Sequence, residues 1–520
     1  MAKSLSRRVD RDVRHRLMRA CFRPTGIAHL EDPVTLDKIR FATSSTTGGS
    51  IGTSVTYLVM LAEYKLEVLI AAALVANYFS PVLAIALLIA RSIIIPYQQR
   101  AYRAVVDAQI GQVGELRRYE YLRRLGMDPP AAKELRLFSI GAWLIERYDR
   151  IWFETMRKIW KSRTGLNRQV ILVSIPATAV VVVVPFILLG ISLERNEISL
   201  TAFAIVAQSL VTLGTFFSDA LATEPVIAYG SAALSSVQAA ENACNDTPAQ
   251  AQGKADPISL PRNEIVFEGV HFRYPGSDRE VLSGLDLTIQ AGRSMALVGS
   301  NGVGKTTVLK LLCRFYEPTA GRILVDGVDL RDLNPQAWQR RFAAIFQDFV
   351  RFQLPAADNI RLGAPRYNAS KAILERAASR AGATSVIDGL PHGWETILAA
   401  EYRGGSEISE GQWQKVALAR ALYAAEAGAG ILILDEPTAS LDARSEVDLF
   451  NRFFEIASGV TTIVVSHRFS TVRQAEHICV LGQNGVIVEQ GNHDSLIRAN
   501  GAYARMFNVQ AERFITGDKP

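Results

Sequence analysis

Gly299-Ser300-Asn301-Gly302-Val303-Gly304-Lys305-Thr306 follows the spacing G-x-x-x-x-G-K-[S/T]. This P-loop spacing lets glycines turn backbone N–H groups inward around phosphate oxygens, while the helix that follows offers its positive end. Lys305 then reaches the β- and γ-phosphates of a nucleoside triphosphate, and the Thr306 hydroxyl ligates Mg²⁺, with Thr307 adjoining. The apolar run Ser294 to Val298 just before it reads as a buried strand, the context such a loop needs.

A second constellation lies further along. Ile431-Leu432-Ile433-Leu434 ends in Asp435-Glu436, which places two carboxylates at the C-terminal end of another buried strand. Ligands collect at that edge of a parallel sheet. Asp435 is suited to the Mg²⁺ shell, and Glu436 to orienting and deprotonating an attacking water. Read alone, the pair is equally well a helix cap. Tyr274 read alone is a packing residue, His467 a surface or core histidine, and Gln347 says almost nothing.

Taken in order, these short patterns together with Ile408-Ser409-Glu410-Gly411-Gln412 resemble the ABC transporter ATPases, in the exporter-type arrangement of fused membrane and ATPase domains. The resemblance implies the remaining roles. Tyr274 becomes the aromatic on which adenine stacks, and Gln347 a residue that touches Mg²⁺ or water and senses the membrane domain. Ser409, Gly411 and Gln412 match the signature L-S-G-G-Q, which grips the γ-phosphate of ATP held by the opposite subunit. Ser440-Leu441-Asp442 is similar to the D-loop, and His467 to the switch histidine. ATP and Mg²⁺ are the implied cofactors, within a head-to-tail dimer.

Glu410 departs from that signature by replacing its first glycine. A carboxylate about 4 Å from a triphosphate costs about 1 to 4 kcal/mol, depending on the local dielectric. Glu410 is therefore expected to point away and stabilise a helix N-terminus. The functional alternative is a slowed or asymmetric ATPase.

The N-terminal half must position this machinery. Val170 to Leu193 carries no charge, nor does Ile198 to Ser218, and about 20 residues cross a hydrocarbon core. Pro176 and Pro185 are tolerable there where neighbours satisfy the freed carbonyls. Asn77 to Pro81 reads as a turn, giving a helical hairpin before it and after it. Four membrane helices are expected, at 53–77, 81–97, 170–193 and 198–221. Glu63 and Glu67 share one face of the first, either lining a polar pathway or marking a membrane boundary.

The long basic stretch from Gln99 to Arg168 places its side in the cytoplasm. A turn near Phe138 to Ala142 resembles the second coupling helix of exporters, and Gly26 to Pro33 the first. Exporter subunits of this type carry six membrane helices before the ATPase domain, where four are found. Two readings follow: a recorded start that falls late, or a naturally shortened subunit. Lys3 to Arg19 has no apolar core, so it is neither a signal peptide nor a span.

Composition agrees with a two-part chain: 520 residues, 49% hydrophobic, net charge +6 and mean hydropathy +0.12. The charge comes partly from the basic loop and N-terminus, so no nucleic-acid partner follows. Cys21, Cys244, Cys313 and Cys479 lack paired spacing, which argues against a zinc site or disulfide framework. The fold class is a polytopic α-helical membrane domain (1–240), a linker rich in Ala, Gln, Asp and Pro (241–263), an α/β P-loop ATPase domain (264–513) and a tail (514–520). The expected activity is ATP-driven transport of an unidentified substrate, as export across the cytoplasmic membrane. The dimer leans toward a homodimer, with a heterodimer open. The alternatives are a membrane-tethered ABC ATPase with a regulatory or scaffold role, and a siderophore importer on the same fold.

Overall fold

The computed structural model describes residues 2–43, 50–90, 92–93, 113–246, 253–367, 370–436, 459–466 and 468–516. They form two compact units. Residues 1–23 and 29–247 make up the first; residues 24–28 and 248–520 make up the second.

The first unit is helical. Helix Ala2–Phe22 buries Val9, Val13 and Leu17 against Ile51, Ala233 and Val237, which lie on helices Ile51–Tyr78 and Leu200–Asp246. Ser50 caps the second of these three helices by accepting from the Thr53 N–H. Asp10 ties it to the first helix by accepting from the Ser50 hydroxyl (2.7 Å) and the Gly52 N–H (2.8 Å). Gly52 is needed because a Cβ there would run into the Ser6 carbonyl. Further along, Val68, Ala71 and Val75 pack with Leu189, Val206 and Leu210.

Several expected boundaries move. The run 53–77 lies within helix Ile51–Tyr78, and 81–90 and 92–93 are helical, while 94–97 fall outside the described residues. The runs 170–193 and 198–221 are parts of much longer helices, Gly141–Glu194 and Leu200–Asp246. The expected turn region contains a break between helices ending at Leu137 and starting at Gly141. Among the described residues no helix is long and apolar enough to cross a membrane. In helix Ile51–Tyr78 the obstacle is the charge of Glu63, Lys65 and Glu67. The side chains at 162–178 and 215–225 lie outside the description.

The stretch 241–263 is not a free linker along its described parts. Its start, Glu241 to Asp246, continues helix Leu200–Asp246. Its later part straps onto the second unit: Ala255 donates to Asp332 O and accepts from the Asn334 N–H, and Leu260 O accepts from Arg341 Nε.

The second unit is built on two sheets. An antiparallel sheet takes β1 (Glu264–Arg273), β2 (Glu280–Gln290), β4 (Ala320–Val325) and β5 (Val328–Asp329) in the order β2-β1-β4-β5. The other has the order β10-β9-β3-β8-β7-β6. Its strands are β3 (Ser294–Val298), β6 (Phe342–Ile345), β7 (Ile431–Asp435), β8 (Thr461–Val465), β9 (His477–Leu481) and the antiparallel edge β10 (Ile487–Gly491). Strands β7 and β8 are buried at every position, as parallel strands covered on both faces require. A separate core joins helices Ala356–Arg361, Lys371–Arg380 and Glu410–Glu426 through Ile360, Leu374, Ala377 and Leu418. The expected tail begins inside helix Ala502–Thr516, and 517–520 lie outside the described residues.

Candidate functional site

Strand β3 delivers the P-loop to the C-terminal edge of the parallel sheet, and β8 alone separates it from β7, which delivers Asp435 and Glu436. Gly304 is the turning point into helix Lys305–Leu312. Its φ of 107° is closed to side chains, and a Cβ would come within 2.9 Å of Leu282 Cδ2. Lys305 is buried, and its Nζ donates to Gly299 O (2.8 Å) and Ser300 O (3.1 Å). Burial lowers its pKa, against the opposing pull of Glu436 and Asp435.

The Thr306 hydroxyl donates to Asp435 Oδ2 at 3.0 Å, so the two oxygens expected around Mg²⁺ meet across the sheet edge. Asp435 is 1% exposed, and burial pushes its carboxyl up to about 6. The Thr306 hydrogen bond opposes that rise, Glu436 adds to it, Lys305 opposes it, and Asp348 adds to it. Two hard oxygens at one buried edge suit a small divalent cation, which takes few protein ligands and completes its shell from phosphate and water. Glu436 has a left-handed backbone, φ 46°, and its N–H donates to Val465 O, so its main chain is fixed beside Lys305 and Asp435.

Tyr274 is half-buried. Its hydroxyl shares a 3.0 Å hydrogen bond with Thr307, and its ring meets Phe272 and Tyr316 edge-on at centroid distances of 4.9 and 5.4 Å. Lys310 Nζ lies 5.2 Å from the Tyr274 centroid. Gln347 is exposed just past β6, beside Asp348. His467 and residues 440–442 lie outside the described residues. Ser300, Asn301 and Gly302 are in the loop itself, and Val303 packs beneath it in the β core.

Residues 282–439 match the profile of the family described as ABC transporter. The chain is 41% identical over 265 residues to the ATP-dependent lipid A-core flippase of Chromobacterium violaceum, covering 51% of this chain and 44% of that protein. It is 42% identical over 252 residues to ABC transporter B family member 28 of Arabidopsis thaliana, covering 48% and 34%. A solved bacterial Atm1-family ABC exporter with ATP bound superposes with a TM-score of 0.72 at 26% identity, covering 98% of this chain and 86% of that one. In its C-terminal half by sequence, and along nearly all of its length by fold, the chain resembles exporter-type ABC transporters. It spans less than half the length of the curated relatives it matches.

Ser409, Gly411 and Gln412 lie outside the P-loop cluster, at the start of helix Glu410–Glu426. Ser409 and Gln412 form a reciprocal capping box: the Ser409 hydroxyl accepts from the Gln412 N–H (3.3 Å), and Gln412 Oε1 accepts from the Ser409 N–H (2.8 Å). Glu410 occupies the first helical position and pairs with Arg351 at 2.9 Å. The substituted carboxylate thus has both a helix dipole and a cation to answer it, and the exposed pair adds little to stability. Glu410→Gly should accordingly change the ATPase rate by less than about tenfold. A larger change in purified protein would mean that the carboxylate shapes the nucleotide step itself.

Arg351 and Asp348 escaped the sequence reading, although Asp348 directly follows Gln347. Arg420 is a third. From the middle of the signature helix it donates to Asn359 O (2.8 Å), Asn359 Oδ1 (3.1 Å) and Val350 O (3.2 Å), with its guanidinium 4.8 Å from the Phe352 centroid. Residues 350–352 are therefore clamped to the signature helix three to five residues after Gln347.

Proposed function

We propose that this chain is one half of an ATP-driven exporter in the cytoplasmic membrane, acting as a dimer with ATP between two ATPase domains. The meeting of Lys305, Thr306, Asp435 and Glu436 at one sheet edge carries the reading. Lys305 exchanges the Gly299 and Ser300 carbonyls for phosphate oxygens. Thr306 and Asp435 hold Mg²⁺, which supplies neutralising charge on the phosphates when bound. Glu436 orients a water and accepts its proton. Tyr274 presents its ring to the base, Gln347 reports nucleotide to the other unit, and His467 contacts the γ-phosphate. Ser409, Gly411 and Gln412 complete the site of the second subunit after exchanging their capping contacts for phosphate ones.

A band of exposed large apolar side chains supports the membrane reading: Leu66, Leu69 and Ile70 on one helix, and Val180, Val183 and Ile187 on another. Water leaves such a surface unsatisfied, whereas acyl chains do not. The named cargo of the flippase relatives makes amphipathic lipids the first substrate class to test.

The test is reconstitution of purified chain in sealed vesicles. ATP-dependent transfer of a labelled lipid between leaflets, absent without ATP, is the expected result. Retention in membranes after a carbonate wash tests the membrane placement separately. Extraction of the chain by that wash would overturn the placement. Retention with ATPase activity but no transfer of any lipid class would overturn the lipid assignment.

A further inference from the structure

Helix Ala2–Phe22 has two unlike faces. Ser6, Val9, Asp10, Val13 and Leu17 turn toward the neighbouring helices, with Leu17 fully buried and Asp10 bonded to Ser50 and Gly52. Lys3, Arg7, Arg8, Arg11 and Arg14 are exposed on the other side, with Asp12 beside Arg11 as an exposed acidic neighbour. The buried face accounts for the packing; it does not account for five cations on the free one.

Their level in the fold suggests what they meet. The contacts of Asp10 with Ser50 and Gly52, and of Gly52 with the Ser6 backbone, set this helix antiparallel to Ile51–Tyr78. Lys3 therefore stands beside the first turns of that helix. The exposed apolar residues begin there at Leu58, Val59 and Met60, six residues or about 9 Å past Gly52. Lys3 stands three residues, or about 4.5 Å, beyond Ser6 toward that band, so its extended side chain reaches it, and those of Arg7 and Arg8 reach most of the way. Cations that close to an apolar band lie within a Debye length of any headgroups that flank it.

We propose that Lys3, Arg7 and Arg8, joined by Arg11, form a collar that binds the headgroups of anionic phospholipids where the helices enter the bilayer. The collar rests on the membrane reading above. It adds a lipid-class preference, carried by charge complementarity at that level.

The full chain in a neutral detergent provides the test. Phosphatidylglycerol should raise its melting temperature by about 4 to 8 °C, and phosphatidylcholine by much less. The rise should vanish in 0.5 M salt, an ionic strength of about a 4 Å screening length. The triple variant Lys3→Gln, Arg7→Gln, Arg8→Gln should lose it while keeping its lipid-free melting temperature. If that variant fails to fold, the charge-keeping set Lys3→Arg, Arg7→Lys, Arg8→Lys should retain the whole rise. An undiminished rise in the glutamine variant, or an equal rise with phosphatidylcholine, would overturn the collar. So would the same rise from inorganic phosphate or a short oligonucleotide, which would assign the face to free anions or nucleic acid. Failure of the membrane placement is read independently, by release of the chain in the carbonate wash.

Discussion

Glu436→Gln is expected to cut steady-state ATP turnover by about 10² to 10⁴-fold, the range lost when a positioned general base is removed. The substitution preserves size and hydrogen-bonding reach, removing only the basicity. It also leaves the backbone alone, and the backbone is specialised here. Glu436 sits at φ 46° immediately after β7, with its N–H committed to Val465 O. A left-handed conformation in a residue with a side chain costs about 1 to 2 kcal/mol, so the neighbouring strands must hold it in place. That fixed main chain aims the side chain from the same edge that carries Lys305 and Asp435.

Nucleotide affinity should fall little, because the proposed function gives the phosphate contacts to Lys305 and the P-loop amides, and removing a carboxylate relieves repulsion. The variant should therefore accumulate with ATP bound. Measured turnover within tenfold of the wild type, at saturating ATP, would take the base role away from Glu436.

The residues that made this site legible belong to local patterns with a strict physical reason. Gly304 must be glycine because of its φ and its closeness to Leu282, and Lys305 and Thr306 follow it at a fixed offset. Ile431 to Leu434 must be apolar throughout because β7 is covered on both faces. Such constraints are written in consecutive residues. Pairings between distant residues are not. Nothing near Glu410 in the sequence points to Arg351, 59 residues away, nor does Arg420 advertise Asn359, 61 residues away. Each needs the helical subdomain folded before the partners meet.

Helix limits were blurred for a different reason. Hydropathy marks where charge stops, but the helix ends only where its hydrogen bonding does. Thus the uncharged run at 170–193 gave no sign that the same helix begins at Gly141. The stretch after Glu241 read as a linker by its overall composition, yet its first proline comes only at Pro248, and the helix runs on to Asp246.

Asp435→Asn is expected to stabilise the metal-free fold while abolishing Mg²⁺-dependent turnover. Burial, the largest influence on this carboxyl, raises it from an ordinary 3.8 to about 6. The folded chain therefore holds the proton more tightly than the unfolded chain does. Stability from the neutral form is complete below about pH 4, declines as the pH rises, and is gone above about pH 6. At pH 7.5 the folded protein carries a charge in a place where water cannot reach it. A difference of about two pH units is worth at most about 3 kcal/mol, and about 1 to 3 kcal/mol after the screening found in real interiors.

Asparagine removes the charge, keeps the shape, and still offers an oxygen to the Thr306 hydroxyl. In chelator at pH 7.5 the variant should melt about 2 to 8 °C above the wild type. The gap should shrink through pH 6 and close near pH 4, where both side chains are neutral. Equal melting temperatures at pH 7.5 would show that Asp435 is solvated, and its place in the cation site would lose its physical basis. A gap that persists unchanged at pH 4 would assign the stabilisation to packing instead of charge. The expected pattern marks a residue retained at a cost to the fold, as a carboxylate kept for a cation should be.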